Sequence, residues 1–133
     1  MRKHPERLKQ AGISPARYLE LQAVCRDYPR YRRQLQRARA GIVDRPSRGS
    51  GAYHRPDPTA AEAMFLAAHP AARRVKLIED CAACVVEPCV VRPLLRCVSE
   101  NLTWEQLQPP MGRNQFYHAR LAFFIALDAA LGY

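Results

Sequence analysis

Apolar residues recur along most of this chain at spacings of three and four, the period of an α-helix with one buried stripe. The first such run follows Ser14, where a capping hydroxyl and Pro15 at the first helical position predict a helix start. Tyr18, Leu21, Val24 and Cys25 give that helix an apolar face as far as Asp27, and Pro29 predicts a kink or a restart. Tyr31 to Ala40 continues as a weakly amphipathic helix, with Leu35 as its only large aliphatic residue and Arg30, Arg32, Arg33, Arg37 and Arg39 around it. Residues 43–57 lose the period and are rich in Gly, Pro and Ser, the composition of an exposed, flexible linker. Asp57-Pro58-Thr59 restarts the helical pattern. Beyond it Met64, Phe65, Ala68, Val75, Leu77, Ile78 and Cys81 form a stripe, interrupted near His69-Pro70 and running to about Val86. Val90, Val91, Leu94, Leu95 and Val98 mark the next helix, which starts at Pro88 and bends at Pro93 or starts near Arg92. The only β-rich run, Cys84 to Val91, is cut by Pro88. The pattern therefore predicts an all-α protein: a basic helical arm over 1–42, a linker over 43–57 and a helical bundle over 58–133.

The end of the chain carries the most specific pattern. Leu94 to Ser99 is helical and Glu100-Asn101-Leu102 is its exit; Thr103, with acceptors at Glu105 and Gln106, then caps a short helix beginning at Trp104. Pro109 and Pro110 stop that helix. From Arg113 to Gly132, Phe116, Ala119, Phe123, Ala126, Leu127 and Ala130 make one apolar face. Arg113, Asn114, Gln115, Tyr117, His118 and Arg120 are assigned to the opposite, early face. Arg hydrogen-bonds guanine, Asn and Gln hydrogen-bond adenine, and Tyr and His reach backbone oxygens. A short helix, a turn and a helix whose first turns are polar are the parts of a helix-turn-helix, whose recognition helix enters the major groove by its N-terminal end. The amides behind Gly112 suit a phosphate, and Arg73, Arg74 and Lys76 are further candidates for backbone contacts.

Charge strengthens this picture. The 133 residues hold 21 Lys and Arg against 12 Asp and Glu, a formal net charge of +9, and nearly all the cations are Arg. Such a balance favours polyanionic partners, nucleic acid foremost. No stretch approaches the roughly 20 apolar residues of a membrane helix, so the expected location is cytoplasmic. In that compartment the five cysteines are expected as reduced thiols.

The tract Glu100-Asn101-Leu102-Thr103-Trp104-Glu105-Gln106-Leu107, followed by Pro110-Met111-Gly112-Arg113-Asn114-Gln115-Phe116-Tyr117, Arg120 and Phe123-Phe124, resembles the C-terminal helix-turn-helix of RinA- and ArpU-type prophage transcriptional regulators. Upstream, Asp57-Pro58-Thr59-Ala60 and the run from Arg73 to Glu79 resemble the middle of the same proteins. The resemblance covers about 75 residues. It implies a phage-encoded regulator of late gene transcription, with a terminal domain similar to the promoter-reading region of a sigma factor. The chain departs from that pattern in its Ala and Cys content and in Pro109-Pro110 within the turn.

Other chemistries find less support. Cys81, Cys84, Cys89 and Cys97 follow a C-x2-C-x4-C-x7-C spacing that suits zinc or an iron-sulfur cluster, yet they lie among Val and Leu, where free cysteine is an ordinary core residue. His4, His54, His69 and His118 neighbour no nucleophile or carboxylate pattern, and Gly49-Ser50-Gly51 lacks the Lys of a phosphate loop. Neither an enzyme nor a cofactor is expected. Arg45, Arg48 and Arg55 read as solubilising linker residues or as an arm along phosphates. Tyr18, Tyr28 and Tyr31 read as core or as stacking residues. The alternative function is a phage protein that docks its basic surface on host RNA polymerase or another host protein or ribonucleoprotein complex. Paired half-sites would suit a homodimer, but no heptad run marks one, and the oligomeric state stays open.

Overall fold

The computed structural model describes residues 5–43, 63–64 and 68–132. Helices α1 (Glu6–Gln10), α2 (Pro15–Arg26) and α3 (Tyr28–Val43) form the N-terminal part. Helices α4 (Pro70–Val85), α5 (Pro88–Glu100), α6 (Trp104–Leu107) and α7 (Arg113–Ala130) form the rest, and no strand occurs among the described residues. The fold is an all-α bundle. Beyond Val43, the linker expected over 43–57 lies outside the described residues, as do the restart at Asp57-Pro58-Thr59 and Phe65.

Local chemistry sets the helix ends. Ser14 caps α2 by accepting from the Arg17 amide at 3.1 Å, with Pro15 at the first position as expected. Asp27 closes α2 and Pro29 sits in the first turn of α3, where its missing N–H costs nothing, so the chain restarts rather than kinks. His69 Nδ1 accepts from the Ala71 amide at 3.1 Å and Pro70 opens α4. Helix α5 starts at Pro88 and carries Pro93 within its first two turns. It ends on Asn101 at φ 58°, a left-handed cap that Asn tolerates better than most residues.

One core joins both halves. Leu8, Leu21, Cys25, Ile78, Leu94, Phe116, Phe123, Phe124 and Leu127 are each fully buried in a single cluster. Helix α4 packs on both α3 and α7, and α2 lies across α5 and against α7. Each large apolar side chain so buried contributes about 1.5–3 kcal/mol. The N-terminal region therefore does not stand off as an arm, because Leu8 and Ile13, isolated in a charged stretch, supply the anchor that composition concealed. Helix α1, which the apolar period did not indicate, exists to deliver Leu8. Of the stripe expected from Met64 to Cys81, Val75, Ile78 and Cys81 of α4 are buried and Leu77 is half-buried, but before α4 Met64 is 71% exposed and Ala68 is also outside the core.

Candidate nucleic-acid interface

The turn between α6 and α7 is built almost entirely around Trp104. Thr103 Oγ1 accepts from the Gln106 amide at 3.3 Å, and Gln106 Oε1 accepts from the Thr103 amide at 2.9 Å, a complete capping box. The indole N–H of Trp104 donates to the Met111 carbonyl at 2.9 Å, bridging the turn. Its backbone N–H donates to the Tyr117 hydroxyl at 3.1 Å, tying the short helix to the first turns of α7. Gln108 ends α6 at φ 44°, and the buried Pro109 keeps the helix from resuming. These contacts fix where α7 starts and how it leaves the bundle.

Gly112 is the N-cap of α7 and supplies no side-chain acceptor, so the first amides of the helix are not capped by a side chain. Phe116, Phe123, Phe124 and Leu127 turn into the core, and their azimuth leaves Asn114, Gln115 and His118 exposed on the far side. Arg113 is also exposed, at 64% of its side chain. Its Nε lies 3.3 Å from Glu105 Oε1, and its guanidinium is 5.9 Å from the Tyr117 ring centre. A surface pair of this kind holds about 0–1 kcal/mol and opens readily to a stronger anion. Gln115 and His118 border a groove of about 650 Å³, shared with Pro110, Met111, Glu87 and Arg7. Arg7 comes from α1, and no apolar period around it pointed to that helix.

Four of the nine assigned residues thus share one exposed end: Arg113, Asn114, Gln115 and His118. Two others on α7 do not belong there. Tyr117 is half-buried, with its hydroxyl occupied by Trp104. Arg120 lies on the buried side, 4.9 Å above the Phe124 ring, and donates to the Tyr18 hydroxyl at 2.9 Å. Its charge braces α7 against α2 rather than facing outward. Arg73 and Lys76 border a different groove of about 500 Å³, with Ala126 and Ala130, and Lys76 pairs with Asp80 at 2.9 Å. With a rise of about 1.5 Å per residue, Ala130 is about 24 Å along α7 from Asn114, so Arg73 and Lys76 flank the opposite end of the helix. Arg74 is half-buried on α4.

The cysteines divide by exposure. Cys25, Cys81 and Cys97 are buried, while Cys84 and Cys89 are exposed. Burial pushes the Cys25 thiol up to about 12, against a smaller downward pull from Arg120. Burial also raises Cys81 and Cys97. Among the described residues no three His, Cys, Asp or Glu side chains converge as a metal site would require, and no helix is long and apolar enough to cross a membrane.

Fold and site together define a class: an all-α bundle that ends in a short helix, a braced turn and a long helix with a polar, outward first turn. No protein-family model, curated protein or solved structure matches the chain.

Proposed function

We propose that the protein binds duplex DNA through the first turns of α7 and acts as a phage-type transcriptional regulator. The observation that carries this reading is the joint exposure of Asn114, Gln115 and His118 at the start of a helix whose other side is locked by Phe116 and the Trp104 contacts. Asn and Gln offer a donor and an acceptor on one planar group, which pairs bidentately with adenine. The uncapped amides behind Gly112 supply donors for a phosphate at the same end. Arg113 gains a stronger anion when it leaves Glu105. Regulation of late genes is the part of the proposal that comes from the resemblance to RinA- and ArpU-type proteins.

Selection from a pool of randomised duplexes tests the reading. The protein enriches a defined motif, and Asn114→Ala weakens the selected duplex by about 1–3 kcal/mol at one base position while binding to unselected duplex is kept. A pool that stays unenriched contradicts base reading by α7.

A further inference from the structure

Helix α3 holds Arg30, Arg32, Arg33, Arg37 and Arg39 and no acidic residue. Its inward side is fixed by the buried Tyr28 and Leu35, with the Tyr28 hydroxyl donating to Glu79 of α4 at 2.6 Å. At about 100° per residue, Arg30, Arg33 and Arg37 fall together on the opposite side, at positions i, i+3 and i+7, and all three are exposed. Arg30 meets Asp27 at 3.2 Å, whereas Arg33 and Arg37 meet no carboxylate among the described residues. Like charges three and four residues apart repel one another. Beyond the Arg30 contacts to Asp27 and to the Tyr31 ring, 5.5 Å away, the stripe makes no ion pair among the described residues, and an external polyanion relieves its repulsion.

On another face of α3, a groove of about 410 Å³ between α3 and α5 is lined by Arg32, Arg92 and Arg96. The carboxylates at that groove are engaged: Glu79 by Tyr28, and Glu100 by Arg96 at 3.0 Å.

We propose that Arg30, Arg33 and Arg37 of α3 form a second binding surface, one that holds the phosphate backbone of a nucleic-acid duplex without reading its sequence. Three guanidinium groups spread over about 10 Å of helix axis meet a lattice with about one charge per 1.7 Å, and each fork can take two phosphate oxygens. A lipid surface fits poorly, because an interfacial helix must sink its apolar face and that of α3 is occupied by α4. An acidic protein fits poorly too, since among the described residues no exposed aromatic anchor accompanies the stripe. This surface is independent of α7 and does not require base reading there.

The test is a salt titration of the full-length protein on a short mixed-sequence DNA duplex and on the RNA duplex of the same sequence, followed by fluorescence anisotropy. The variant Arg30→Gln, Arg33→Gln, Arg37→Gln keeps its helicity and melting temperature. It lowers the slope of log affinity against log salt by about three and weakens every duplex sequence alike. Arg33→Gln alone lowers the slope by about one. Asn114→Ala leaves the slope where it was, so loss of base reading and loss of this surface are told apart. Binding to DNA, RNA or both supports the proposal and names the source of the phosphates. An unchanged slope in the triple variant overturns it, and so does a protein that binds vesicles rich in anionic lipid but neither duplex.

Discussion

Trp104 shows how much of the candidate interface hangs on single side chains. Its ring packs against the core while its two N–H groups hold opposite sides of the turn, one on Met111 and one on Tyr117. Trp104→Phe keeps most of the ring and removes the indole donor, leaving the Met111 carbonyl without that bond. The expected cost is about 1 kcal/mol, a few degrees in thermal unfolding followed by circular dichroism, with a larger proportional loss of duplex selectivity because the start of α7 loosens. Arg120 carries the opposite lesson. Its residue type suggested a DNA contact, yet it stands four residues after Phe116, four before Phe124 and seven before Leu127, three positions that are all buried. The helical period already placed it inward, and weighing azimuth above residue type would have found it. Tyr117 could not be resolved that way, because its partner Trp104 is reached only once the turn has folded.

At the scale of elements, caps and prolines were the most legible signals. Ser14-Pro15 and Thr103 each open a helix where expected, Pro88 settles between two starts left open, and His69-Pro70, expected only as an interruption, opens α4. Short elements and packing partners were less legible. Helix α1 has five residues and one buried side chain, too little for a period to register. Met64 sits in register with an apolar stripe but outside the core, since a repeat in sequence does not ensure a partner in space. The N-terminus of α7 offers a direct probe of the interface at this scale. A Cβ on Gly112 would come no closer than 3.8 Å to the Gln115 side chain, so Gly112→Asp fits and caps the helix. The variant should gain a few tenths of a kcal/mol in stability and lose duplex affinity, because its carboxylate occupies and repels the phosphate position. Thermal unfolding and anisotropy should then move in opposite directions.

For the whole molecule, the core that the described helices share sets what chemistry can reach. Cys84 and Cys89 lie outside, while Cys25, Cys81 and Cys97 belong to the core. Native protein treated briefly with a maleimide at neutral pH should take two adducts, and denatured protein five; mass spectrometry counts them. Buried thiols react slowly because burial holds them protonated, Cys25 most strongly. A third rapid adduct would mean that the N-terminal helices leave the bundle. Their inclusion in the core was the feature least legible in composition, since the charge of the first forty residues hides the few apolar anchors that hold them down.

The central claim is that the outward first turns of α7 read bases. Amide chemical-shift mapping of the protein with its selected duplex tests this most directly. The account expects the largest changes at residues 112–118, with a second, sequence-independent set on α3 that persists with unselected duplex. Changes confined to α3, with α7 silent, would contradict it.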